Sequence, residues 1–242
     1  PHPMGAWDAD SRSHIVSMTS GDFYGSETST TVSEATEFRI EFVSGDAKVT
    51  TLKQLAPLEA GEVIDTSVMQ KASLRKFLAE QIADAKDKDV LFSLHLKATM
   101  MKVSDPIIFG HAVAEFFAPV LEKHVSMLNQ LGIDLNNGFG DVAGKIATLS
   151  EAQRSEIERD IQAVYEDRPA MAMVNSDKGI TNLHVPSDII IDASMPAAIR
   201  ASGQMWGPDG HQKDTKYVIP DRSYSGVYKA TVEFCQEHGA FD

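Results

Sequence analysis

Residues 89–111, DVLFSLHLKATMMKVSDPIIFGH, constrain the chain more than any other stretch. Val90, Leu91, Phe92, Leu94 and Leu96 form an apolar run of strand length that ends at Lys97. A short connection follows, and Ser104-Asp105-Pro106 supplies the start of a helix, because proline fits the first turn where no backbone donor is needed. A buried strand that delivers a lysine and returns as a helix is a unit of an α/β sheet. In open α/β sheets ligands gather outside the carboxyl ends of the strands, which places Lys97 where chemistry is done. A solvated lysine that merely closes a strand has the same local pattern, so the stretch alone leaves both readings open.

The flanking sequence extends this picture. Leu74, Phe77, Leu78 and Ile82 recur at helical spacing after Ser73, which predicts a helix over about 72–86 capped by that serine. The helix beginning at Asp105-Pro106 is expected to split at Pro119 and stop at Gly132. Ser150 and Gln153 form a capping box for a helix that buries Ile157, Ile161 and Val164. Further strands are expected at 170–174 and 187–192, helices at 195–202 and 224–238, a loop at 136–144, an exposed loop at 203–214 and a short extended piece at 217–219. Residues 13–20, 37–43 and 47–53 read as strands. Phe38, Ile40 and Phe42 alternate with Arg39 and Glu41, as in a sheet with one buried face, and Ser44-Gly45-Asp46 turns the chain as a hairpin. The expected fold class is therefore α/β, a mixed sheet flanked by helices with an N-terminal antiparallel hairpin region. Residues 1–66 would form a β-rich layer or clasp packed on an α/β part spanning 67–242, the two making one structural unit.

The 242 residues carry 35 acidic against 22 basic side chains, a net charge of -13, which argues against a nucleic-acid partner. The single cysteine, Cys235, excludes an internal disulfide and a cysteine-based zinc site, and it fits a cytoplasmic location. No apolar run reaches the ~18–20 residues of a membrane span, and the opening Pro-His-Pro-Met lacks a signal-peptide core. That opening reads as the middle of a loop, so the chain is expected to be a piece of a longer polypeptide.

Several motifs fail on inspection. Gly138, Gly140 and Gly144 are spaced one residue too long for a dinucleotide fingerprint, and Gly144-Lys145-Ile146 lacks the rest of a phosphate loop. The eight histidines form no metal-ligand spacing, although His95 would share a strand face with Lys97. No Gly-x-Ser-x-Gly elbow is present. Asp188 and Asp192 would share one face of the strand at 187–192. Asp192, at its carboxyl end, is either a hard-cation ligand or the cap of the next helix.

Ser93–His111, Ala172–Arg200, Ser202–Gly210 and Val218–Lys229, together with GDFYGSE at 21–27 and VMQKASLRKF at 68–77, closely resemble the monomeric type of NADP-dependent isocitrate dehydrogenase. The resemblance runs essentially end to end. Family members are several times longer, so it implies an internal piece, about the first half of their large domain. It implies that Lys97, not Lys102, contacts the substrate and moves the proton of its hydroxyl. It likewise implies that Asp192, not Asp188, is one of the carboxylates holding Mg²⁺ or Mn²⁺. The implied reaction is oxidative decarboxylation of isocitrate to 2-oxoglutarate with reduction of NADP⁺. The other metal aspartates, the substrate-carboxylate cluster, the catalytic tyrosine and the NADP pocket would lie in remaining segments of the same polypeptide, leaving this piece inactive alone. Burial and a neighbouring dication are expected to depress the Lys97 pKa from the ~10.4 of a free lysine. The competing expectation is a non-catalytic α/β binding or scaffold module.

Overall fold

A computed structural model describes residues 4–241. In chain order the elements are β1 (His14–Val16), α1 (Phe23–Ser26), β2 (Thr28–Thr31), β3 (Thr36–Val43), β4 (Val49–Leu58), β5 (Val63–Thr66), α2 (Lys71–Asp87), β6 (Leu91–Leu94), α3 (Ser104–Phe116), α4 (Ala118–Lys123), α5 (Val125–Gln130), α6 (Phe139–Ile146), α7 (Glu151–Asp167), β7 (Met173–Asn175), β8 (Ile180–Thr181), α8 (Ile191–Arg200), β9 (Gln204–Trp206), β10 (Gln212–Val218) and α9 (Arg222–His238).

The organising sheet is parallel, in the order β1-β10-β6, with β9 antiparallel on β10. All four residues of β6 are buried, which explains why only Ser93 interrupts its apolar sequence: a parallel strand covered on both faces has no wet side to mark with alternating polar residues. One face carries Phe92, Leu94 and Val218 against α2, α3, α4 and α7, and the other carries Ile15, Tyr217 and Ile219 against α8 and α9. The molecule is thus α/β with helices on both faces, as expected.

The second edge of β6 is closed in an unusual way. Phe92 exchanges backbone hydrogen bonds with Ala170 and Ala172, and Leu96 does the same with Ile189 and Ile191. Between them, the side chain of Asn182 takes the place of a peptide unit. Leu94 N–H donates to Asn182 Oδ1 at 2.6 Å, and Asn182 Nδ2 donates to Leu94 C=O at 3.0 Å. Three separate segments therefore satisfy the edge donors and acceptors of one buried strand, as burial requires.

Several sequence expectations need correction. Residues 187–192 are not a strand: Pro186–Ile189 is a 3₁₀ turn, only Ile190 bridges to Leu96, and Asp192 already lies in α8. Residues 136–144 are not a loop but a 3₁₀ turn running into α6. The supposed exposed loop at 203–214 contains β9 and the start of β10. Strand β10 escaped because its QKDTKYV sequence is polar; Thr215 and Lys216 are nonetheless buried, Thr215 N–H on Ser13 Oγ and Lys216 on the Asp84 carboxylate. Helix α2 starts at Lys71, with Gln70 rather than Ser73 in the cap position.

The hairpin of β3 and β4 forms as expected, but its alternation buries neither face: Ile40 and Phe42 are 48% and 55% exposed, and Leu52 and Leu55 also lie open. The predicted breaks at Pro119 and Gly132 are present. Among the described residues no helix is long and apolar enough to cross a membrane.

Candidate active site

Strand β6 formally ends at Leu94, yet the backbone stays extended through Leu96, whose N–H and C=O pair with Ile189 and Ile191. This pairing sets Lys97, the first residue beyond, next to the first turn of α8. Lys97 Nζ donates to Asp192 Oδ1 at 2.5 Å. The lysine side chain is mostly sheltered and its ammonium lies 5.8 Å from the centre of the Tyr224 ring on α9. Asp192 is half-exposed and sits where the dipole of α8 favours negative charge. It does not cap the helix; Ile190 holds that position without a side-chain bond. The alternatives from the sequence fall elsewhere: Lys102 and Asp188 are exposed.

Contacts within this chain shift the Lys97 pKa upward. The hydrogen bond to Asp192 raises it above the ordinary lysine value, burial opposing and the Asp192 charge assisting. Lys97 is therefore a charged donor here, paired to the carboxylate it faces.

Several further residues surround this part of the fold. Asp105, in the first turn of α3, is buried; burial pushes its pKa up to about 6, against the Ser104 hydroxyl, which donates to Oδ1 at 3.3 Å. Its Oδ2 has no hydrogen-bond partner among the described residues. Asp105, Lys97, His95, Asp221 and Tyr224 line a crevice of about 10 Å³, room for one water and far too little for a tricarboxylate. Asp22, in the GDFYGSE turn, is buried and accepts from the Arg222 backbone N–H at 3.0 Å, Nε at 2.8 Å and Nη2 at 2.7 Å, tying α1 to the start of α9. His95 is fully buried, and burial lowers its pKa to about 3, so its ring is neutral.

Among the described residues two places offer donors to a cation. His124, Glu156 and Asp160 bring three ligand atoms together. Lys123 Nζ, however, lies 2.8 Å from Asp160 and 3.6 Å from Glu156, so an ammonium already neutralises both carboxylates. Asp192 is a single carboxylate, itself paired through Oδ1 with the Lys97 ammonium, which a cation would have to displace or share. That donor chemistry fits Mg²⁺ or Mn²⁺, which take one or two carboxylates and complete their shell with water and substrate oxygens.

Fold and site together define an α/β protein with a lysine–carboxylate pair at the carboxyl edge of a parallel sheet. The sequence model of the family described as monomeric isocitrate dehydrogenase matches residues 1–242, and the chain belongs to that family. The proteins named isocitrate dehydrogenase [NADP] 2 of Colwellia maris and isocitrate dehydrogenase [NADP] of Azotobacter vinelandii are 62% and 60% identical over all 242 residues, which cover 33% of each. The isocitrate dehydrogenase [NADP] 2 of Mycobacterium tuberculosis is 48% identical, with 32% of its length covered. The chain thus spans about a third of the curated relatives it matches.

Proposed function

We propose that this chain is the part of an NADP-dependent isocitrate dehydrogenase that contributes a catalytic lysine and one metal-ligand aspartate to a site completed by other segments of the polypeptide. The observation that carries the reading is the Lys97–Asp192 pair, 2.5 Å apart across two elements that meet beyond the sheet edge. Residues 1–66 and 67–242 act as one unit in this reading, supported by the seat of β1 beside β10.

Asp192 would hold Mg²⁺ or Mn²⁺ with one protein ligand from this chain. Bound, the cation would supply Lewis-acid polarisation of the substrate oxygens and NADP⁺ would take the hydride. The remaining work belongs to Lys97. Hydride leaves carbon only as the hydroxyl gives up its proton, so an acceptor must stand beside that oxygen. While Lys97 donates to Asp192 it is charged and cannot accept. Once the Asp192 oxygens are engaged elsewhere, Lys97 loses the hydrogen bond that holds its pKa up, and neighbouring positive charge favours the neutral amine. Nζ then becomes able to hold the hydroxyl proton.

The test is complementation. The 242-residue chain alone, given isocitrate, NADP⁺ and Mn²⁺, is expected to form no NADPH, and co-folding with the missing segments is expected to restore it. Full activity of the isolated chain contradicts the shared-site reading, and inactivity of the restored assembly supports a binding or scaffold module instead.

A further inference from the structure

Besides the Lys97–Asp192 bond, two ties cross the joint between β6 and α8. One crossing is backbone: Leu96 N–H donates to Ile189 C=O at 3.1 Å, and Ile191 N–H donates to Leu96 C=O at 2.8 Å. The other is the imidazole of His95, two residues before Lys97, which reaches Ser194, two residues after Asp192. Its Nδ1 lies 2.7 Å from Ser194 Oγ and its Nε2 lies 2.7 Å from Ser93 Oγ. The backbone pair sets the distance between strand and helix. Ile191, Met195, Ala198 and Ile199 seat the body of α8 in the core, and the His95–Ser194 contact, one turn along from the ladder pair, adds a polar tie to its first turn.

The direction of the second tie follows from its neighbours. Leu94 orients the Asn182 amide, because its N–H needs an acceptor and its C=O a donor. The amide nitrogen so fixed also donates to Ser93 Oγ, at 3.1 Å. Ser93 must then spend its own proton elsewhere. Of the acceptors in reach, His95 Nε2 and the Met205 sulfur at 3.2 Å, the imidazole nitrogen is the stronger. The neutral ring therefore carries its proton on Nδ1 and donates it to Ser194.

We propose that His95 is a positioning residue: its Nδ1–H bond to Ser194 holds the first turn of α8 in the rotation that presents Asp192 to Lys97 and to a divalent cation. The proposal rests on the reading above that Lys97 and Asp192 are the reacting pair. Outer partners of this kind are commonly worth ~10–100-fold in metal affinity or activity.

The experiment uses the complete enzyme and separates the two ring nitrogens. His95→Asn keeps a polar group where Nδ1 lies, and His95→Gln keeps one where Nε2 lies; Ser194→Ala removes the receiving hydroxyl. His95→Gln and Ser194→Ala are expected to lower kcat by ~10–100-fold and Mn²⁺ affinity, titrated by its EPR signal without turnover, by about tenfold. His95→Asn should hold both within about threefold of the parent, although its core is disturbed as much as by His95→Gln. The double variant His95→Gln/Ser194→Ala should be no worse than the weaker single, since one bond is lost once. Equal losses in the Asn and Gln variants that track their melting temperatures, or losses that multiply in the double variant, overturn the proposal. Lys97→Met keeps the two levels apart: if it abolishes turnover while the histidine variants behave alike, only the role of His95 fails, whereas if it leaves turnover intact the underlying reading fails.

Discussion

Asn182 offers the sharpest stability test, because a side chain there stands in for a strand. Its amide makes three hydrogen bonds to buried groups: Leu94 N–H, Leu94 C=O and Ser93 Oγ. Leu94 and Ser93 are both fully buried, so no bulk water is at hand to replace them. Asn182→Ala strands one backbone donor and one backbone acceptor, each worth ~1–3 kcal/mol when left unpaired, for a total of about 3–4 kcal/mol. The loss is local to β6, so backbone hydrogen exchange is the suitable assay: at about 1.4 kcal/mol per decade, exchange in a peptide covering 91–97 should speed up by about two to three orders of magnitude. Asn182→Asp is the isosteric control. Ionised, it still accepts from Leu94 N–H but faces Leu94 C=O with no proton to give; protonated, it can donate. Its folded pKa is therefore raised above the ~3.9 of an unfolded aspartate, and its deficit should shrink as pH falls through the folded value. Exchange within about threefold of the parent in the alanine variant would refute the surrogate-strand account.

Three further expectations are independent of that one. The hydrogen bond from buried Lys216 holds the Asp84 pKa down to about 2, with Lys88 assisting; this stabilisation is fully present above the unfolded value of ~3.9 and is lost as pH falls toward 2, so melting temperatures should decline over that window and Asp84→Asn should flatten the decline. Gly138 has φ of +90°, and a Cβ added there would come 2.2 Å from the His184 carbonyl oxygen. Gly138→Ala should therefore cost at least ~1–3 kcal/mol by denaturant titration, and a change below ~0.5 kcal/mol would contradict the clash. Asp192→Asn removes the group that raises the Lys97 pKa, so NMR titration of the lysine amine should find it lower than in the parent; an unchanged value would mean that another group sets it.

What could be read in advance followed the range of the forces involved. The β6–α3 unit was legible because a buried parallel strand must be apolar and proline marks a helix start, both properties of neighbouring residues. Lys97 was placed at a sheet edge by the same logic, and the family resemblance then singled out Asp192. The strand proposed at 187–192 was wrong because Ile189, Ile190 and Ile191 are apolar for three different reasons. Ile189 ends a 3₁₀ turn, Ile190 bridges to Leu96 and Ile191 opens α8. Strand β10 was hidden because Lys216 is neutralised by Asp84, far away in sequence. Asn182 and Ser194 carried no local signal at all, and Asp105 was legible only as part of a helix start. Asn182 and Ser194 act through partners brought by the tertiary fold, and a lone asparagine or serine reads as a turn residue in any sequence. The hairpin showed the converse error: its alternation was real, but a period of two says which residues share a face, not that anything covers it.

The central claim is that Lys97 moves a proton during turnover and does not merely brace Asp192. Replacing it with methionine in the complete enzyme, then measuring NADPH formation beside Mn²⁺ and isocitrate binding by calorimetry, tests this directly. Loss of a positioned acid–base group predicts a fall in kcat of ~10²–10⁴-fold, with Mn²⁺ binding and melting temperature close to those of the parent. Turnover within a few-fold of the parent, with both ligands still bound, would contradict the account.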